Sequence, residues 1–384
     1  MLTALDETLL HQAAVPFALT TVSDHRFFDR MWLGGHRADG TRFLMGMANY
    51  KNMNVADGYF VVLKDRKQHN LRVSRPFLSS PDALRVGPLK LEIVRPLEQL
   101  RIVVDAGSEH STRAELTFTG TAAPRMELPH VRRVDGRLTQ DYVRFDQHGF
   151  VNGWFELNGE RTIVDRWFGA RDHSWGVRPN QGGYDPVTSD GDSFRDEVSG
   201  ASSALLAVYL FFDVEGWEGY IQLQEDGSGR VLYQDGEIRN KRRDAHPVAL
   251  SGLTHDLEFA PGTRACTGGR INAKLTNGEV VQLDITALVP ATCYKGTGYD
   301  AGFDDERGLG LYRGERVERD VYDVSHVENV VLPDGRTIRP WHREVPCTLS
   351  VNGGPRGLGY FPVLSNGFIE RYRLEGGFTN RRAV

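Results

Sequence analysis

Alternation with a period of two dominates this chain. In Arg113-Ala114-Glu115-Leu116-Thr117-Phe118-Thr119, apolar Ala114, Leu116 and Phe118 interleave with polar Glu115, Thr117 and Thr119. A strand sends successive side chains to opposite faces, so one set is buried and the other is turned away from the core. The same pattern marks Tyr59–Leu63, Leu89–Val94, Leu100–Asp105 and Phe150–Leu157, then Leu205–Phe212, Glu218–Gln224, Thr254–Phe259, Arg270–Thr276 and Glu279–Thr286. Asp39-Gly40, Asp57-Gly58, Asp135-Gly136, Asn158-Gly159 and Asn277-Gly278 are turn dipeptides suited to tight hairpins. No helical period is sustained for more than a few turns, although the opening residues around Leu9 to Phe17 suit a short helix. Short antiparallel strands must bury a face and manage their edges, which predicts an all-β fold of barrels or sandwiches.

With 384 residues the chain exceeds the usual size of one core, which favours two domains. The Gly-, Asp- and Ser-rich stretch Asn180 to Ser203 separates the two strand runs and reads as a linker or long loop. The expected division is 1–190 and 191–384.

Composition excludes several functions. A balance of 46 basic and 51 acidic side chains gives a formal charge of -5 without large blocks of one sign, so neither nucleic acid nor an anionic membrane is favoured. The longest apolar run, Ala204 to Phe212, is about half of a membrane span, so no stable membrane insertion is expected. Cys266, Cys293 and Cys347 are odd in number and widely spaced, which suggests a reduced, cytoplasmic protein. No metal-ligand spacing and no redox-cofactor motif occur, so no metal and no cofactor are expected. The glycines of Cys293 to Glu306 lack a phosphate-binding context, and Tyr294, Tyr299 and Phe303 there suit a lid over a barrel mouth.

Reactive side chains are densest in Arg166-Trp167-Phe168-Gly169-Ala170-Arg171-Asp172-His173-Ser174-Trp175-Gly176-Val177-Arg178-Pro179. Gly169 and Gly176 suggest sharp turns around the Asp172-His173 pair, and Trp167 and Trp175 suit the walls of an apolar ligand site. The alternative is a structural corner built from Arg-Asp pairs and buried tryptophans. Tyr50, Asn52 and Asp57 form a second polar cluster, after Met45-Gly46-Met47, which also suits a plain core strand. Asp146, Gln147 and His148 either pair with the central motif or form an exposed turn. Glu370 is a candidate second carboxylate, with a salt bridge as the alternative.

The run Arg171-Asp172-His173-Ser174-Trp175-Gly176 resembles the signature of two-domain lipocalin-like proteins related to hydroxyneurosporene synthase, the carotenoid 1,2-hydratase. Tyr50-Lys51-Asn52 with Asp57-Gly58, Phe145-Asp146-Gln147-His148-Gly149 and the ending at Glu370-Arg371-Tyr372 match in order. Lys51 stands where relatives carry Pro, and Phe145 where they carry Tyr. The resemblance implies two lipocalin-like β domains in tandem and a hydrophobic small-molecule substrate, isoprenoid or aromatic. It also implies a cofactor-independent reaction: hydration of an alkene, or a proton-initiated isomerisation or cyclisation.

Such chemistry needs a strong acid, walls that tolerate a cation, and controlled water. Asp172, with its pKa raised by burial, is the expected proton donor, relayed through His173. Trp167 and Trp175 would stabilise the cation, and Tyr50 would position water. Asn52, Asp57 and Glu370 complete the expected substrate contacts with Arg171 and Arg178. Both arginines oppose the scheme, because positive charge keeps Asp172 ionised. A non-catalytic lipocalin-like carrier or sensor of an apolar ligand is the competing reading.

Overall fold

The computed structural model describes residues 13–80, 82–105, 111–134, 137–179, 181, 204–288, 290–297, 308–326, 329–338 and 343–374. Twelve strands precede the expected linker: β1 (Phe27–His36), β2 (Arg42–Tyr50), β3 (Val55–Lys64), β4 (Lys67–Pro76), β5 (Arg85–Val86), β6 (Leu89–Arg95), β7 (Gln99–Asp105), β8 (Thr112–Gly120), β9 (Arg125–Met126), β10 (His130–Val134), β11 (Arg137–Leu157) and β12 (Glu160–Val177). After it come β13 (Leu205–Val214), β14 (Trp217–Asp226), β15 (Val231–Asn240), β16 (Val248–Phe259), β17 (Cys266–Leu275), β18 (Val280–Ala287) and β19 (Thr292–Cys293). The remainder are β20 (Glu318–Asp323), β21 (Val330–Val331), β22 (Thr337–Ile338), β23 (Arg343–Glu344), β24 (Pro346–Val351), β25 (Gly357–Tyr360) and β26 (Val363–Asn366). The fold is all-β, with two large antiparallel sheets, as the alternation predicts.

In the second sheet β13 pairs with β14 at one end of the run and with β25 at the other. That ring of β13 to β18, β24 and β25 is a closed barrel, which removes its free edges. The first sheet stays open, in the order β22-β21-β20-β4-β3-β2-β1-β12-β11-β8-β7-β6-β5. It curls so that Leu91, Ile102 and Leu116 from one end pack with Phe43, Phe60 and Leu71 from the other in one core. The segment β20 to β22 belongs to this first sheet, through pairing of β20 with β4. The chain therefore returns to the first domain after most of the second is complete, a crossing that a division at 190/191 does not contain.

Strand parity places the domains against each other. Leu33 faces the first core and its neighbour Trp32 faces outward; Phe212 faces the second core and Phe211 faces outward. Trp32, Tyr59, Phe168, Phe211, Tyr220, Tyr294 and Tyr360 meet in a third cluster between the open first sheet and the second barrel.

Several local expectations are corrected. The central motif forms no corner: Trp167 to Val177 lies inside β12, an 18-residue strand. Gly169 is needed for packing rather than turning, since a Cβ there would meet Val151 Cγ2 at 2.8 Å. Gly176 does sit at φ +135, but within the ladder. Asp57-Gly58 also lies inside a strand, β3, rather than in a turn. Asn158 and Gly159, at φ 51 and 84, do form the tight hairpin joining β11 to β12. Residues 1–12, Asp135-Gly136, and the expected linker apart from Gln181 lie outside the described residues. Among the described residues, no helix is long and apolar enough to cross a membrane.

Candidate active site

Across the first sheet at one level, Arg72, Tyr59, Gly46, Trp32, Asp172 and Asp146 are successive Cα partners on β4, β3, β2, β1, β12 and β11. Directly opposed residues share a face, and this face is the one turned toward the second barrel. Gly46 makes room in the row: Tyr59 Cε1 lies 2.4 Å from where a Cβ would stand. From the second barrel, the Tyr360 hydroxyl lies 2.7 Å from the Cβ position of Gly34, and its ring meets Trp32 edge-on at 5.6 Å.

At the Asp172 end of the row the wall becomes ionic. Glu127 Oε1 accepts from Arg144 Nε at 2.8 Å, and Oε2 lies 2.5 Å from His130 Nε2. The Tyr220 hydroxyl is 2.5 Å from both Glu127 Oε1 and Gln222 Oε1, and Arg144 Nη2 donates to that Gln222 oxygen at 3.2 Å. Burial alone would raise the Glu127 carboxyl, but the Arg144 charge and these hydrogen bonds hold it well below the usual range. Asp146 goes the other way. Burial, and then the neighbouring Glu127 charge, push it well above the ordinary value. Its oxygens accept no hydrogen bond, as suits a protonated acid that donates to Glu127.

Burial also raises Asp172, against the pull of Arg144, whose Nη1 is 3.9 Å from Asp172 Oδ2. Asp172 lies deep between the domains, yet its side chain remains 21% accessible. A third raised acid, Glu344 on β23, is pushed to about 8 by burial, although Tyr294 donates to it at 2.9 Å. The arrangement thus places three carboxyl groups with raised pKa near aromatic rings on the interdomain face.

The residues expected from the sequence divide by strand face. Asp172 is on the interdomain face, while Arg171, His173 and Trp175 project from the opposite one. Arg171 donates to Gln147 at 2.8 Å and stacks on Phe145 at 5.0 Å. His173 bonds Asp29 at 2.7 Å, and Trp175 packs edge-on to His173 at 5.3 Å. A direct relay from His173 to Asp172 is therefore not available, and Arg144 rather than Arg171 is the cation beside the acid. Trp167 is in the first core against Phe155, away from Trp175. Arg178 lies over the Phe28 ring at 4.5 Å.

Tyr50 and Asp57 are on the interdomain face but already engaged. The Tyr50 hydroxyl accepts from Arg30 at 2.5 Å, and Asp57 accepts from Gly310 N at 2.8 Å. Asn52 ties down Val22 and Asp24 through their carbonyls and takes no part in the site. Glu370 is exposed on a short turn of the second barrel, remote from Asp172. Sequence reasoning missed Glu127, Arg144, Trp32, Glu344 and Tyr360. Only β11 carried a signal, with the ionisable Arg144, Asp146 and His148 at every second position and so on one face of the strand. Of the expected lid, Tyr294 is buried against Glu344, while Tyr299 and Phe303 lie outside the described residues.

Two other features lie apart from this network. His148, Asp213 and Glu218, distant in sequence, bring ligand-type atoms within 4.8 Å of one another across the domain contact. Arg239 already pairs with Glu218 at 2.6 Å and Lys241 with Asp213, so these carboxylates are charge-balanced within the protein. A cleft of about 220 Å³ lined by Lys64, His69, Phe155 and Asn158 opens at the inner face of the first sheet and shares no residue with the network.

A model described as a family of unknown function (DUF8625) matches residues 2–337. The chain belongs to that family. No curated protein sequence matches this family member. Its fold is similar to a crystal structure from Nitrosomonas europaea provisionally named AttH, at TM-score 0.51 and 12% identity over 88% of this chain and 92% of that one. Kievitone hydratase from Nectria haematococca gives TM-score 0.47 and 10% identity over 91% and 94%. The first of these likenesses shows a shared fold.

Proposed function

We propose that this protein is an enzyme that acts on a hydrophobic small molecule, isoprenoid or aromatic, by acid–base chemistry without a redox cofactor. The reaction class is hydration of a double bond, or a proton-initiated isomerisation or cyclisation. Asp172 is the proton donor, and the single observation that carries this is its position: deep, raised by burial, and still accessible. Trp32, its direct cross-strand neighbour, offers an aromatic ring to a developing cation. The Glu127 carboxylate adds to the effect of burial on Asp172, because a neighbouring negative charge disfavours its ionised form.

Incubating the protein with isoprenoid and aromatic alkenes in isotopically labelled water tests the reading. A hydratase gives products with one labelled hydroxyl, and an isomerase or cyclase gives products of unchanged mass with solvent hydrogen incorporated. Binding without any product across such a panel would favour the carrier reading instead.

A further inference from the structure

Three carboxyl groups, Glu127, Asp146 and Asp172, surround one close guanidinium, Arg144. That cation stands 2.8 Å from Glu127, 3.9 Å from Asp146 and 3.9 Å from Asp172. Two buried carboxylates and a third, partly accessible one are costly to ionise together beside Arg144, even with Arg178 also acting on Asp172, so the set favours holding a proton. Asp146 and Asp172 are direct Cα partners, which places their Cβ atoms roughly 4.5–5.5 Å apart. Arg144 is equally far from both and so stabilises whichever of the two is ionised.

The set continues outward. His130, which bonds Glu127, has its ring stacked between Tyr142 at 4.5 Å and Tyr233 at 4.4 Å. It lies on β10, beside the exposed Val131, one layer beneath the surface.

We propose that Asp146, Glu127 and His130 form a proton-supply line that exchanges protons between the exterior and Asp172. This inference rests on Asp172 as the donor. When Asp172 has given its proton to a substrate carbon, the Asp146 O–H bond breaks and an Asp172 O–H bond forms. Asp146 is then a carboxylate beside Arg144. A proton passes in concert from His130 Nε2 through Glu127 to Asp146 as His130 Nδ1 takes one from water, and the imidazole tautomer reverses before the next turnover. In hydration the attacking water loses one proton, so the count closes over a turnover. Asp146, Glu127 and His130 touch no reacting atom and are positioning residues.

The test needs no substrate. Infrared spectra of the full chain resolve protonated carboxyl groups, and mixing into heavy water times their exchange. A protonated-carboxyl band at neutral pH that disappears in Asp146→Asn is expected. In His130→Phe, which keeps the stacked ring, exchange of that band should slow on the order of 10²-fold, the scale of losing a positioned acid or base. Tyr233→Phe keeps the stack and should leave the rate unchanged. His130→Ala should also be slow and should recover when imidazole is added, which a purely structural histidine would not show. No band assignable to Asp146, an unchanged rate in His130→Phe, or no rescue by imidazole would each overturn the proposal. Full turnover by Asp172→Asn would instead defeat the proposed function and leave these exchange rates standing.

Discussion

Asp172 and Asp146 oppose each other on β12 and β11, on the face turned toward the second barrel, with Arg144 at 3.9 Å from each. One cation between two acids means that the pair is read as a unit, and that its two members respond differently to substitution.

Asp146→Asn should cost little, within about 1 kcal/mol, because burial and the Glu127 charge already favour the neutral side chain and the amide can still donate to Glu127. Glu127→Gln should cost about 3–5 kcal/mol, since it leaves Arg144 buried without its closest carboxylate. Denaturant unfolding of both variants checks the order. Equal losses would show that Asp146 is ionised in the folded protein.

Glu344 gives the protein a pH dependence of known sign. Its folded pKa of about 8 lies above the ordinary 4.5, so folding favours the protonated form. The stability it contributes is complete below about 4.5 and is lost as pH rises through about 8. At about 1.4 kcal/mol per pKa unit the loss is on the order of several kcal/mol. Melting curves across that window should fall for the wild type and flatten in Glu344→Gln. Glu127, held below its ordinary value, acts in the opposite sense and only at acid pH.

His173→Ala should separate the two halves of the central motif. His173 and Asp29 form a partly exposed pair, with 21% and 39% of their side chains accessible, so the loss should be about 1 kcal/mol or less. Titration of the Asp172 carboxyl by NMR should move only slightly upward, because the His173 charge is the smallest of the pulls on it. A large shift would show that His173 acts on Asp172 directly, which their placement on opposite strand faces opposes.

Gly34→Val tests the domain contact. The added side chain would collide with the Tyr360 hydroxyl, 2.7 Å from the Cβ position, and with Leu44 Cδ2 at 2.8 Å. Overpacking of this kind costs typically about 1–3 kcal/mol, and thermal unfolding measures it.

The fold was legible in the sequence where a strand has one buried face, as in β8 and β18, because alternation then survives. β2 and β3 carry side chains buried on both faces, from Phe43 to Ala48 and from Val55 to Leu63, so only Tyr59–Leu63 reads as strand there and Asp57-Gly58, in the same strand, looks like a turn. The central motif misled for a related reason. Its glycines suggested bends, but they serve close packing within a long strand. Asp172 was visible as a candidate because of its company, yet most of that company faces the other way. The true neighbours come from β1, β11, the Glu127 segment and the second barrel, and no spacing along the chain foreshadows contacts between elements so far apart in sequence.

The most direct measurement compares wild type with Asp172→Asn for unfolding, ligand binding and turnover on the same preparation. If Asp172 is the proton donor, the variant folds and binds as before and loses turnover by on the order of 10²-fold or more, because the amide keeps the volume but has no carboxylic proton to give. Reduced stability with turnover per folded molecule unchanged would contradict the account.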